Sequence, residues 1–172
     1  MTFNIFIILK YHKPFIMKNI NRILFTSLFI IVATTLLSQN LEYKEGHFYK
    51  NGMLYSGVNV EYYANGNPKI ERHITNGVEN GLVITYSENG IKLEQRSYIN
   101  GHKDGTWITW NYEGVKTAVA NYKNDKKNGD WFIWNDKGVL LYEMHYNMGK
   151  KTGQWKMYDN NGNLINKRVY KP

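Results

Sequence analysis

Beyond the first forty residues, apolar and polar positions alternate in short runs, each interrupted by Gly, Asn or Asp. In Gly105–Trp110, Ile108 and Trp110 face one way while Trp107 and Thr109 face the other, which is the period of a β-strand. Phe132 and Trp134 repeat the first pair; Trp131 and Ile133 repeat the second. Strands of about six to eight residues divided by such dipeptides predict β-hairpins. Asn65-Gly66 and Asn89-Gly90 are the clearest turns and Lys137-Gly138 a weaker form. All are expected as tight two-residue turns, because Asn and Gly accept the positive φ such turns need.

The hairpins recur. Gly57, Gly81, Gly105, Gly129 and Gly153 stand 24 residues apart, as do Gly66, Gly90, Gly114, Gly138 and Gly162. Tyr98, Tyr122, Tyr146 and Tyr170 hold the same period, with Ile74 in their column, and so do Tyr62, Tyr86, Trp110, Trp134 and Tyr158. Four columns kept in register over five units make this a tandem array. Both glycine columns are expected to be structural turn residues. Asn51-Gly52 lies five residues before Gly57, whereas Gly77 precedes Gly81 by four, so the first unit is irregular, as terminal repeats often are. The last unit reaches Pro172 soon after Tyr170, without a return turn.

Composition agrees and narrows the chemistry. Aromatic residues make up 15% of the 172 residues, with 14 Tyr and 5 Trp, and 15 Gly against 3 Pro suit a turn-rich β chain. The absence of Cys excludes disulfides, thiolate metal sites and a thiol nucleophile. The net charge of +8 is inflated by Lys10, Lys13, Lys18 and Arg22; without them 18 basic residues face 14 acidic ones. A mild surplus spread along an array is a solvated surface, not the dense basic stripe of a nucleic-acid binder.

The N-terminal stretch follows a different logic. Residues 23–37 form an uncharged apolar run preceded by Lys18 and Arg22 and followed by Ser38-Gln39-Asn40, the layout of a helical secretory signal segment. Fifteen residues are short for a membrane-spanning helix, which needs about 20. Met17-Lys18-Asn19 begins a conventional leader, so Met17 is the expected start, with cleavage near Ser38 despite Leu36 at the −3 position. The alternative is an uncleaved anchor built from Phe3–Leu9 and residues 23–37. The organisation expected is therefore a leader over 1–38 and a repeat domain over 39–172, with export to the periplasm, cell envelope or medium.

Catalysis finds no foothold. His47, His73, His102 and His145 are scattered without metal-ligand pairing, and His102 with Asp104 falls in a polar link. Glu71, Glu94 and Glu143 lie on second strands in different columns and build no carboxylate pair. No nucleophile elbow or phosphate-cradling glycine loop is present. No enzyme, metal or cofactor is expected. The aromatics remain: Trp107, Trp131 and Trp155 on one face, Trp110, Trp134 and Tyr158 on the other. Such columns stabilise hairpins by same-face stacking, or they offer a platform to a glycan or to a partner's apolar patch.

Tyr98-Ile99-Asn100-Gly101, Gly105-Thr106-Trp107 with Trp110, Asn128-Gly129-Asp130-Trp131 with Trp134, and Thr152-Gly153-Gln154-Trp155 with Tyr158 share one frame. In that frame residues 41–172 resemble the bacterial MORN-repeat variants, often labelled antitoxin-like. The resemblance implies an all-β fold, an elongated, twisted, single antiparallel sheet of successive hairpins. It also implies roles in scaffolding, membrane-associated assembly or toxin neutralisation. Asp125 departs from it by replacing a turn Gly, and a leader is at odds with a cytoplasmic antitoxin. The expected function is an exported, non-enzymatic surface for a protein partner at the cell envelope. The alternatives are cell-wall glycan binding through the Trp and Tyr columns, contact with a membrane surface, and neutralisation of a toxin. Any grip is expected in units three to five.

Overall fold

The computed structural model describes residues 41–171; the expected leader lies outside them. The described chain is all β. Its strands are β1 (Glu42–Lys44), β2 (His47–Lys50), β3 (Met53–Leu54), β4 (Gly57–Tyr62), β5 (Pro68–Thr75), β6 (Val78–Tyr86), β7 (Lys92–Ile99) and β8 (His102–Lys103). They continue as β9 (Gly105–Trp110), β10 (Lys116–Lys123), β11 (Lys126–Lys127), β12 (Gly129–Trp134), β13 (Leu140–Asn147), β14 (Lys150–Tyr158) and β15 (Leu164–Tyr170). From β4 to β15 they form one antiparallel twelve-stranded sheet that follows the chain order, with the two-residue strands β8 and β11 pairing only with β7 and β10 respectively. Among the described residues no helix is long and apolar enough to cross a membrane.

The expectation of a single sheet needs one correction. β1, β2 and β3 form a separate three-stranded sheet. The chain reverses at Glu45-Gly46, both at positive φ, and this leaves β2 only four residues long and paired with β1 and β3 alone. The two sheets are still tied through the backbone: Phe48 N–H donates to Gly77 O at 2.8 Å and Gly77 N–H to Tyr55 O at 2.8 Å.

The glycine columns also divide differently from the turns expected. In the large sheet the true two-residue turns are Asn76-Gly77, Asn100-Gly101, Asn124-Asp125 and Met148-Gly149, where both residues have positive φ and the flanking residues pair directly, as Thr75 does with Val78; Glu45-Gly46 and Asn51-Gly52 do the same in the small one. This is the hairpin turn whose twist matches its strands. At Gly66, Gly90, Gly114, Gly138 and Gly162 only the glycine is left-handed. There a four-residue turn is closed by the glycine N–H, as Gly66 donates to Tyr63 O at 3.0 Å. A polar residue opens most of these loops and holds them: Asn135 Oδ1 accepts from Lys137 N–H and Val139 N–H, and Asp159 Oδ1 accepts from Asn161 N–H and Asn163 N–H.

Gly57, Gly81, Gly105, Gly129 and Gly153 are not turn residues. Each lies in a strand, and the inner ones sit where the register slips. On β5, Arg72 pairs with Val83 and Ile74 with Glu79, so two steps on one strand face four on the other. The same slip separates Glu143–Lys156 from His145–Thr152. These are β-bulges with two extra residues, and the polar residue just before Gly57, Gly81, Gly105 or Gly129 holds the next turn. Ser56 Oγ, Asn80 Oδ1, Asp104 Oδ2 and Asn128 Oδ1 accept from the backbone N–H of Asn76, Asn100, Asn124 and Met148, each 20 residues later. The next residue of each turn donates its N–H to a carbonyl 22 residues earlier, as in Gly101 to Glu79 and Gly149 to Lys127. Each two-residue turn of the large sheet is thus closed by the unit before it.

The core is correspondingly thin. Among the described residues Ile74 and Val83 at 3% exposure and Ile84 at 9% are the buried hydrophobic ones, and no large side chain among them is fully enclosed. The array is one layer thick and holds itself together by neighbour contacts, as repeat proteins do.

Candidate interaction surface

The register places Trp107, Trp131 and Trp155 on one face with Tyr98, Tyr122, Tyr146 and Tyr170, and the rings interleave. Tyr98, Trp107, Tyr122, Trp131, Tyr146, Trp155 and Tyr170 form one continuous ladder with centroids 4.9–5.5 Å apart and planes inclined by 50–64°. This is the tilted packing that ring quadrupoles favour. Each indole is also anchored: Nε1–H of Trp107, Trp131 and Trp155 donates to the carbonyls of Ser97, Asn121 and His145 at 2.9–3.0 Å. Burial pushes the Tyr98, Tyr122 and Tyr146 hydroxyls above their ordinary pKa, so they stay neutral.

A row of lysines roofs the ladder. Lys103 Nζ lies 4.7 Å from the Trp107 centroid, Lys127 Nζ 4.3 Å from Trp131 and Lys151 Nζ 4.4 Å from Trp155. Each also covers the next tyrosine, at 5.0–5.4 Å. These are cation–π contacts over the electron-rich ring faces. Half-buried and covered in this way, the three tryptophans are ladder residues first. The lysines hold the 24-residue period as strictly as the rings, and that column was the missed signal.

The opposite face carries Trp110, Trp134 and Tyr158. Phe132 packs on Trp134 with centroids 5.7 Å apart, while Lys92 and Lys116 lie over Trp110 and Trp134 at 5.7 and 5.9 Å. Tyr158 enters a polar network instead. Its hydroxyl donates to Glu143 Oε2 at 3.2 Å, and Lys156 Nζ donates to the same oxygen at 3.0 Å. His145 stands beside it, with Nδ1 2.6 Å from Asp130 Oδ1 and Nε2 3.7 Å from Glu143 Oε1. The structure therefore brings together residues that looked scattered. Glu71 and Glu143 occupy one column after all, three periods apart, as do His73 and His145. The Glu–His pair of one unit recurs in the other, since His73 Nε2 lies 3.3 Å from Glu71 Oε1. The two glutamates are separated by about 30 Å of sheet and build no shared site.

His102 meets Asp125 at 2.6 Å rather than Asp104, and Asp104, 7% exposed, pairs with Lys123 at 3.1 Å. The departure at Asp125 is compensated locally: its carboxylate accepts from Lys103 N–H at 2.7 Å, the bond that chiefly holds its pKa below the usual value. Among the described residues no three His, Asp or Glu side chains converge to hold a metal ion.

Glu143 supplies a test by pH. The hydrogen bond from Lys156 holds its carboxyl below the ordinary range despite partial burial. Because the group is more acidic folded than unfolded, its stabilisation is complete above the ordinary carboxylate range and vanishes as pH falls through the lowered value. Glu143→Gln should therefore melt below the parent at neutral pH, and the gap should close on acidification below about pH 4. A gap independent of pH would assign the effect to packing.

A family model described as MORN repeat variant matches residues 55–76, 79–100, 127–148 and 151–171. Residues 101–126, between the second and third matches, fold as the same hairpin unit. No curated protein shows significant similarity to the chain.

Proposed function

The chain belongs to the MORN repeat variant family, and from that premise we propose that it is an exported protein whose sheet docks another protein at the cell envelope. Such repeats are interaction modules, and the family is a non-enzymatic one. The observation that carries the reading is the single open layer. Aromatic and aliphatic side chains on both faces stay half-exposed, and among the described residues only lysine side chains, not a second layer of strands, lie over the rings. Exposed apolar side chains recurring along one face, as at Ile133 and Tyr142, are the surface an interaction site uses. Export rests on the apolar run at 23–37 with Lys18 and Arg22 before it. Glycan stacking on the Trp107 column is less well supported, since Lys103, Lys127 and Lys151 already occupy those ring faces.

Fractionation of cells after in-cell crosslinking tests the proposal. The expected result is a chain shortened at its N-terminus, found in the envelope or periplasm and carrying a protein adduct. Recovery of the full-length chain from the cytoplasm would overturn export, and the absence of any protein adduct would overturn the docking role.

A further inference from the structure

The ladder face of β9–β15 is divided into three parallel bands. Lys103, Lys127 and Lys151 form the first, two strands apart and hence about 10 Å from one to the next. The aromatic ladder is the second. The third is aliphatic and thioether: Ile133 pairs with Tyr142 and Trp131 with Met144, and Ile133 and Tyr142 are 37% and 38% exposed. Strand positions of β9–β15 on this face carry no carboxylate. None of the three lysines is within 4.0 Å of an acid, whereas the acids Asp130 and Glu143 lie on the other face. A cationic margin that has carboxylates near only its Lys103 end, where Asp125 and Glu94 lie, and that runs beside an adaptable methionine-containing strip, is complementary to a partner that is acidic along one side and apolar along the other.

We propose that this face docks an acidic, amphipathic segment of another polypeptide lying across the strands, with its carboxylates on Lys103, Lys127 and Lys151 and its apolar side chains on Ile133, Tyr142 and Met144. The inference rests on the docking role proposed above and adds its face and the chemistry of its partner. A polypeptide fits better than an acidic glycan or nucleic acid, because a polymer without apolar side chains would leave the Ile133–Met144 strip wet. The ladder stiffens the bed, so little side-chain freedom is lost on docking.

The test uses the full chain with a synthetic glutamate–leucine peptide as probe, and with polyglutamate, heparin and phosphatidylglycerol vesicles for comparison. Binding of the glutamate–leucine peptide is expected, weakening as salt rises. The triple change Lys103→Gln, Lys127→Gln, Lys151→Gln should weaken it by about ten-fold or more. Ile133→Ser, at an exposed position, should weaken it several-fold while leaving the melting temperature near the parent's. Reversal of the three lysines to Glu should transfer binding to a lysine–leucine peptide, a gain that misfolding cannot produce. Equal or tighter binding of polyglutamate or heparin would overturn the amphipathic polypeptide, and equal binding of the vesicles would assign the face to lipid. Failure of the peptide to bind, while crosslinking in cells still captures a protein, would sink this inference and leave the docking role standing.

Discussion

Trp131→Ala is expected to lower stability by about 3 kcal/mol, toward the lower end of the range for aromatic truncation because the ring is only half-buried. Trp131 sits in the middle of the ladder, between Tyr122 at 5.2 Å and Tyr146 at 5.3 Å, under the Lys127 ammonium. Its loss interrupts two ring contacts, one cation–π contact and the hydrogen bond to Asn121 O together. For an array of this size the loss corresponds to a fall of roughly 10 °C in melting temperature. Trp131→Phe keeps a ring in the stack and gives up the Nε1–H bond, so it should cost about 1 kcal/mol. Thermal melts of the two variants check the ordering. A Trp131→Ala protein melting within a degree or two of the parent would show that the column is surface and that the hairpins stand without it.

The second large effect is expected at a bulge. Gly81 has φ +119°, a conformation that side chains rarely adopt, and a Cβ added there would lie 3.0 Å from the His73 Cβ. Gly81→Ala should cost about 2 kcal/mol, because the strain and the close approach act together. Gly90→Ala is the natural comparison. Gly90 has φ +80° and open space around its missing Cβ, so only the left-handed penalty of about 1 kcal/mol applies. Denaturant titration of both variants distinguishes them. Equal losses at the two sites would mean that the bulge tolerates relaxation and that the turn is no cheaper than the strand.

The period of 24, the hairpins and the two Trp faces were legible because glycine spacing and strand alternation are local signals. The role of each glycine was not. Gly66 and Gly77 both follow Asn, yet Asn76 is left-handed at φ 49° and Asn65 is not. That choice is made by how the flanking strands pair, which the dipeptide does not encode. Gly81 resembles a turn glycine because a strand follows it. Its bulge exists because Asn80 must reach the backbone of Asn100, a partner in the next unit. The aromatic column was readable as a ladder, but the lysines above it were passed over as solvated surface charge. Their period, shared with the tryptophans, was visible all along. Glu143 and Lys156 could be joined only once β13 and β14 were in register.

The bonds that close each two-residue turn of the large sheet from the preceding unit bear on how such a molecule can change over generations. The partners sit a fixed 20 and 22 residues back. Excision or duplication of one whole period therefore hands every donor an equivalent acceptor, and only the chemistry at the ends is renegotiated. An insertion of any other size within a strand breaks the spacing of the turn whose partners it separates. Length in this chain is thus heritable in whole steps, each lengthening the sheet by about 10 Å. Its span across a partner can be lengthened or shortened by recombination without a new fold having to be found.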